Sequence, residues 1–342
     1  MSQESDAFTH TIRCRRNQYA FATLLLLLLV LPAVPEVRSA NPARGSAREN
    51  FEAGKYREAA SLLQAALAQE PQDSSSAFWL MRSYYELDMT DEAVSAAERA
   101  AKLEPSNSEY HQWLGRAYGR KAEKTRSFSY ARKTRAEFET AVRLNPANLL
   151  ARRDLLEFYM DAPWFLGGGK DKAWRQAEAI AAIDPVEGCL ARADYWQDQD
   201  KPESAAGDYA KVLELKPGRL DPYFEVAGYY EARQNAGRLE AAVEAAAKLN
   251  PRDCRLDYYR GVACILTGKR HAEAGQYLKT YLATAPPRRD SPSPASAHVW
   301  LGRLYEQLAK LQLAAQQYKS ALELDPGNQE AQEGQRRTNQ VR

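Results

Sequence analysis

Residues that could act as nucleophiles, general acids or metal ligands are few and scattered in this chain. No HExxH, GxSxG or CxxC motif occurs among its 342 residues. Zinc peptidases need two histidines one helical turn apart, and serine hydrolases need a nucleophile on a glycine-flanked turn. The sequence therefore predicts no catalytic site, no metal, no cofactor and no enzymatic activity. Its histidines are His10, His111, His271 and His298, and its cysteines are Cys14, Cys189, Cys254 and Cys264.

Residues 167–170 read GGGK and resemble part of a phosphate-binding loop. That loop needs GxxxxGK followed by Ser or Thr after a buried strand, whereas Lys170 is followed by Asp171. Two interpretations remain for this glycine-rich segment. It could be a turn in which Trp164 and Phe165 pack onto neighbouring helices, because glycine permits left-handed backbone. It could also be a ligand loop with stacking aromatic side chains, to which Lys170 would belong.

Charge is concentrated in residues 116–135, although the whole chain has a formal net charge of only +2. Two interpretations fit this segment: a cationic projection for an anionic partner, or an exposed extension of a helix. Glu123 is its only acid, and its bases are Arg116, Arg120, Lys121, Lys124, Arg126, Arg132, Lys133 and Arg135.

The N-terminal segment has the composition of a secretory leader. Three arginines between positions 13 and 16 precede the apolar residues 19–31, and prolines and small residues follow. This order is typical of a signal peptide. We therefore expect residues 1–40 to direct export to the periplasm or out of the cell, where nucleic acid is not an expected partner. If the leader is not cleaved, residues 19–34 would anchor the chain in the membrane.

A proline recurs at the end of successive helix-like segments. The series is Pro71, Pro105, Pro146, Pro185, Pro217, Pro251, Pro286 and Pro326, with spacings by subtraction of 34, 41, 39, 32, 34, 35 and 40 residues. The residues twelve, eight and five positions before each proline are apolar in every unit, except for Thr134. These offsets place each trio on one helical face. The sequence therefore predicts an all-α array of about eight helical pairs over residues 41–326.

Three hexapeptides mark the first helix of three units: WLMRSY at 79–84, WLGRAY at 113–118 and WLGRLY at 300–305. With the apolar trio and the closing proline of a unit near 34 residues, they resemble the tetratricopeptide repeat (TPR) family. The resemblance implies a right-handed superhelical solenoid of paired antiparallel helices, whose first helices line a concave groove. Residues 327–342 would form a capping helix and tail, which such arrays need at their ends.

Arg82, Arg116 and Arg303 occupy the same place in these hexapeptides. In the repeats that they resemble, this place faces the groove, where a guanidinium group suits a carboxylate or phosphate of a partner. The alternative is pairing within the chain, for which the candidate acids are Glu86, Glu157 and Glu306.

Extra residues in a regular array are candidates for function. The basic segment belongs to the third unit and the glycine-rich segment to the fourth, so they could form one composite site. We expect this contact edge to include Arg120, Lys121, Lys124, Arg126, Trp164, Phe165 and Lys170. A third irregularity, residues 285–297, is rich in Pro and Ser and predicts a flexible surface linker.

The leading hypothesis from the sequence is an exported scaffold that binds a protein or peptide partner. The alternative is recognition of an anionic envelope polymer or lipid headgroup through the basic edge of units 3 and 4.

Overall fold

A computed structural model describes residues 42–285 and 291–340; the predicted leader, residues 1–40, lies outside them. Within these two ranges all regular structure is helical, which confirms the all-α prediction, and none of these helices is long and apolar enough to cross a membrane. A 3₁₀ turn, Trp164–Leu166, follows the seventh α-helix. The α-helices are α1 (Pro42–Glu52), α2 (Tyr56–Gln69), α3 (Ser74–Glu86), α4 (Thr90–Leu103), α5 (Ser108–Thr125), α6 (Phe128–Leu144), α7 (Leu149–Asp161), α8 (Lys170–Ile183), α9 (Pro185–Asp198), α10 (Pro202–Leu215), α11 (Asp221–Ala232), α12 (Ala236–Leu249), α13 (Arg255–Thr267), α14 (His271–Thr284), α15 (Pro294–Gln307), α16 (Leu311–Leu324) and α17 (Gln329–Gln340).

Successive helices pack in pairs, from α1 with α2 (unit 1) to α15 with α16 (unit 8). Each second helix also packs against the first helix of the next unit, and α17 covers the end of unit 8. The first helices of neighbouring units contact each other along the array, for example α5 with α7 and α7 with α9. The first helices therefore lie on the inner face of the stack, and their exposed side chains face the groove.

Most unit boundaries are marked by a proline that ends one unit and a polar residue two positions later that begins the next. Proline cannot continue the second helix, because its ring clashes with the preceding turn. The polar residue then caps the next first helix: the side chains of Asp73, Asn107 and Asn148 each accept a hydrogen bond from a backbone N–H of the first turn. Unit 5 differs, because Pro185 itself begins α9 and Asp184 caps it.

The predicted core positions are confirmed. All three residues of the apolar trio are buried in each of the eight units, including the polar Thr134. The small position of the hexapeptide has a packing reason: a Cβ on Gly115 would lie 2.5 Å from the ring of Phe138. Glycine there lets the first helix approach the large side chain of the second.

Two of the three irregular segments differ from a plain loop. The extra residues of unit 3 lengthen both of its helices, to 18 residues in α5 and 17 in α6, as the helix-extension interpretation predicts. The predicted linker at 285–297 is wrong in its second half, because α15 begins at Pro294. Ser293 caps that helix and a proline in the first turn fits it, so this segment contains a helix start.

Candidate partner-binding surface

Two of the three groove arginines are paired within the chain. Arg116 donates two hydrogen bonds to Asp154, from Nε at 2.7 Å and from Nη2 at 2.9 Å. Arg303 lies 3.0 Å from Glu330 and 4.5 Å from the ring centroid of Trp300. Intramolecular pairing was the right alternative for both, although the direct contacts are to other acids; Glu157 and Glu306 act on Arg116 and Arg303 only through their charge. Asp154 lies in α7, beside α5, and Glu330 lies in α17, beside α15. These helices are adjacent only in the folded array.

Arg82 has no ion pair within the part of the chain that the structure describes. Its guanidinium lies 4.7 Å from the ring centroid of Trp79 and 4.9 Å from those of Phe51 and Trp113. Trp113 in α5 occupies the repeat position that Asp154, the partner of Arg116, occupies in α7. Aromatic rings therefore surround Arg82 where a carboxylate contacts Arg116. Such contacts attract a cation through the negative ring face, and burial lowers the pKa of Arg82.

Three bases of the basic segment contact acids in the turn between α3 and α4 and in the first turn of α4. Lys124 lies 2.6 Å from a carboxylate oxygen of Asp88, and Lys121 lies 2.9 Å from Asp91. Arg120 donates to the backbone carbonyl of Tyr85 and also lies 3.8 Å from Asp88. The hydrogen bond with Asp91 raises the pKa of Lys121 to about 12. The expectation of an open cationic projection is therefore corrected for these three residues, and partner binding by them stays a prediction.

Two further bases of this segment, Arg126 and Arg132, and Lys170 of the glycine-rich segment keep their charge exposed. Arg126 ends α5 in the left-handed region with φ 50°, Arg132 lies in α6, and Lys170 begins α8. All three are exposed, and none has an ion pair with a described residue.

The two insertions meet in space, as the composite-site hypothesis predicts. The rings of Phe128 in α6 and Phe165 in the 3₁₀ turn contact each other edge to face, with centroids 5.5 Å apart. Arg135 of α6 donates a hydrogen bond of 2.8 Å to the carbonyl of Leu166. The packed-turn interpretation is wrong for Trp164, which is 85% exposed. Leu166 is the side chain of this turn that packs inward, so the two aromatic residues before it face out.

A cleft of about 670 Å³ opens on the inner face of units 2 to 4. Its walls combine aromatic side chains with carboxylates, and both of its arginines, Arg116 and Arg120, are already paired. Among its acids, Glu123, Glu157 and Asp161 have no ion pair within the described ranges. Its aromatic residues are Tyr85, Trp113, Phe138 and Phe158.

The cleft acids repel one another. Burial, and then the charges of Asp154 and Asp161, raise the pKa of Glu157. Burial and the charge of Asp198 raise the pKa of Asp161. Burial is the main cause of both shifts and like charge a further one, so a bound cation would stabilise the charged form of these two carboxylates.

Comparison with known proteins supports the repeat fold. The tetratricopeptide repeat family matches residues 50–117, 230–289 and 288–329. The chain is a tetratricopeptide repeat protein. No curated protein matches the sequence.

Three solved structures are similar to this TPR protein at low sequence identity. A chain of the APC/C hetero-tetramer Cut9–Hcn1 is 13% identical, with a TM-score of 0.51 over 88% of this chain and 56% of that chain. A tetratricopeptide repeat protein from Parabacteroides merdae ATCC 43184 is 17% identical, with a TM-score of 0.48 over 78% and 99%. A thermophilic TPR protein from Thermus thermophilus is 23% identical, with a TM-score of 0.45 over 55% and 97%.

The inner face of the TPR protein also holds a charge network that the sequence did not reveal. Arg153 of α7 lies 3.2 Å from Glu187 of α9, and 3.1 Å from both Asp194 of α9 and Glu225 of α11. One arginine thus ties three successive first helices together. The repeat register offers no signal for this network, because unit 4 is longer than the standard repeat and the three acids lie on the first helices of two later units.

The remaining chemically capable residues have structural surroundings. His111 hydrogen-bonds Glu137 at 2.6 Å, and His298 hydrogen-bonds Gln317 at 2.8 Å. Cys189, Cys254 and Cys264 are free thiols, and burial raises the pKa of each, which disfavours the reactive thiolate. Over residues 42–285 and 291–340, no group of three or more His, Cys, Asp or Glu side chains is arranged to hold a metal ion.

Proposed function

We propose that this TPR protein is a scaffold that holds a segment of a partner protein in the cleft of units 2 to 4. The observation that carries the proposal is a cleft with aromatic walls and three carboxylates that lack an ion pair within the described residues. A segment with Lys or Arg beside apolar side chains would supply both missing contacts. TPR arrays are interaction scaffolds, and this cleft is where first helices of three successive units come together.

The aromatic walls and the acids act on different parts of such a segment. Phe158 is partly exposed among the cleft residues and offers apolar surface there, where burial of a partner's apolar side chain is favourable. Glu157 and Asp161 lie on α7, four residues apart and therefore on the same face. A bound Lys or Arg near them would be attracted by two negative charges in a partly desolvated place.

A peptide selection tests the proposal with the full chain. A displayed library of random peptides is panned against the wild type, and the recovered peptides are expected to be enriched in Lys and Arg relative to the library. Reversal of the cleft charge by Glu157→Lys with Asp161→Lys is expected to weaken the selected peptides roughly tenfold or more, about 1.4 kcal/mol or above. The measurement is the dissociation constant by fluorescence anisotropy.

The matched control makes the same charge change away from the cleft. Glu178→Lys with Glu214→Lys alters exposed residues of the second helices α8 and α10. Peptides that bind both double variants and the wild type equally would show that the cleft is not the site. If the selected peptides are not enriched in Lys and Arg but bind Phe158→Glu more weakly than the wild type, the cleft is the binding site. The proposal that the bound segment is cationic would then be wrong.

The alternative of binding an anionic polymer or lipid headgroup through Arg120, Lys121 and Lys124 has less support. Asp88 and Asp91 already contact these bases, so an anion would have to compete with carboxylates of the same chain. The ion pairs that a bound anion would form with these exposed bases contribute little net binding free energy.

Export remains a separate proposal that rests on the leader. We expect the mature protein to start near residue 40 and to work in the periplasm or outside the cell. N-terminal sequencing of the protein from its native compartment tests this. A chain that begins at Met1 in the membrane fraction would support the anchored alternative.

A further inference from the structure

An exposed aromatic cluster stands where the insertions of units 3 and 4 meet. We call Phe128, Trp164 and Phe165 the aromatic tip. Trp164 is 85% exposed, Phe128 58% and Phe165 47%, and the three rings contact one another in sequence, with centroids 5.5 and 6.0 Å apart. Isolated exposed apolar residues need no explanation, but a contiguous cluster of large rings marks a surface that something else covers.

The tip is held in its exposed position by the surrounding chain. Leu166 is buried beneath it, and its carbonyl accepts from Arg135 at 2.8 Å. Lys172 donates to the carbonyl of Gly167 at 2.9 Å. Gly167 has φ +97°, and a Cβ there would overlap the guanidinium of Arg135, so this backbone favours glycine. The turn therefore presents Trp164 and Phe165 outward in one conformation.

Three bases without an ion pair to a described residue lie near this tip in sequence. Arg126 precedes Phe128 by two residues, and Arg132 follows it by one helical turn on the same face of α6. Lys170 follows the 3₁₀ turn at the start of α8. The nearby acids are Glu123, Asp161 and Asp171, and they are outnumbered by the bases of the same stretches, which are Arg126, Arg132, Lys133, Arg135, Lys170 and Lys172, so the balance around the tip is positive.

We propose that the aromatic tip inserts into the interfacial region of an anionic lipid membrane. Trp and Phe settle at the boundary between headgroups and acyl chains, and flanking Arg and Lys are attracted by anionic lipids. A protein pocket for this tip would need acidic residues placed against three separate bases, whereas a bilayer surface supplies negative charge on all sides. This contact goes beyond the proposed binding of a protein segment in the cleft, and it would place the scaffold on a membrane.

The contact is expected to be weak, reversible and sensitive to salt. Three rings bury little area compared with an amphipathic helix, so attraction to the three bases supplies much of the affinity. That attraction falls off over roughly 8 Å at physiological ionic strength. Raising the salt concentration should release the tip from vesicles before it affects the fold.

Tryptophan fluorescence of the full chain tests the proposal locally. The chain has six tryptophans, none within residues 1–40, and the difference between the wild type and Trp164→Phe isolates the signal of Trp164. With vesicles of phosphatidylcholine and phosphatidylglycerol, we expect this signal to shift to the blue, to be quenched by a nitroxide-labelled lipid and to be shielded from aqueous acrylamide. Vesicles of phosphatidylcholine alone should leave it unchanged.

Charge reversal separates the tip from any other membrane contact of the chain. Arg126→Glu, Arg132→Glu and Lys170→Glu together should raise the lipid concentration for half-saturation on the order of a hundredfold. The control reverses three exposed bases elsewhere, Arg143→Glu, Arg238→Glu and Lys248→Glu, and should leave it unchanged. Circular dichroism checks that both triple variants keep their helical content.

Three results would overturn the proposal. The first is a Trp164 that stays open to acrylamide with both kinds of vesicle. The second is equal shielding by neutral and anionic vesicles, which would remove the role of the bases. The third is shielding by a vesicle-free extract of the same cells without shielding by vesicles, which would make the tip a contact for a protein.

Discussion

Replacement of Arg153 by methionine is expected to lower the free energy of unfolding by about 3 kcal/mol at neutral pH. The methionine keeps much of the side-chain volume but leaves Glu187, Asp194 and Glu225 close together without their shared cation. Removing one partner of a buried ion pair costs more than the pair contributes, because the remaining charge is desolvated and unmet. The expected loss is at the lower end of the usual range because Arg153 and its partners retain part of their solvent contact.

The loss of stability caused by Arg153→Met should be smaller at acidic pH, because of the pKa shifts of the neighbouring carboxyl groups. Burial raises the pKa of Glu187 and of Asp194 above their ordinary values, despite the attraction to Arg153. The folded state therefore binds protons at Glu187 and Asp194 more readily than the unfolded chain does. Protonation of these two groups thus favours folding as the pH falls toward the ordinary carboxyl pKa. Without Arg153 both pKa values should rise further. The variant should then gain more stability than the wild type between pH 7 and pH 5.

Arg152→Met is the matched control for this prediction. Arg152 is the preceding residue on α7 and donates to the carbonyl of Pro146 and to the side chain of Gln176, with no carboxylate partner among the described residues. Its loss should cost about 1 kcal/mol for the hydrogen bonds, with little dependence on pH. Urea unfolding of both variants at pH 5 and pH 7 measures the difference. An equal cost of the two substitutions at both pH values would contradict the role of Arg153 as a shared counter-ion.

The fold was predictable because the information is local and repeated. The trio of apolar residues before each proline defines a buried helix face within twelve residues, and eight copies make the pattern unambiguous. The hexapeptide adds the glycine that lets α5 approach Phe138, a contact between neighbouring helices of one unit. Such features recur at fixed offsets, so they can be read without knowledge of how the units stack.

The site was less predictable because its charges are set by contacts between units. The sequence around Lys121 and Lys124 shows a run of bases, but Asp88 and Asp91 lie about thirty residues or more earlier and meet them only after α5 packs beside the turn of unit 2. The three acids around Arg153 are likewise spread over α9 and α11. The exposure of Trp164 depends on which of three adjacent apolar side chains turns inward, and the 3₁₀ geometry gives that place to Leu166.

Gly188→Ala is expected to destabilise the array by about 3 kcal/mol, although alanine is the better helix former. Gly188 is buried in the first turn of α9, and a Cβ there would overlap the Cα and Cβ atoms of Ala181 in α8 and lie 3.0 Å from its backbone nitrogen. The obstacle is backbone, so no side-chain rotation can relieve it. Asp184 alone separates the two helices, the shortest link between helices in the described parts of the chain. The helices therefore have little freedom to move apart.

The same substitution should have the opposite sign one helix later. Gly207 lies on the exposed face of α10, where a Cβ would meet nothing within 4 Å. Gly207→Ala should stabilise the protein by up to about 1 kcal/mol, because alanine loses less backbone entropy in a helix than glycine. Denaturant midpoints of the two variants measured side by side test both signs. A Gly188→Ala protein as stable as the wild type would show that α8 and α9 can separate. Glu187 would then be free to move with α9, and its distance from Arg153 would no longer be set by the packing of these two helices.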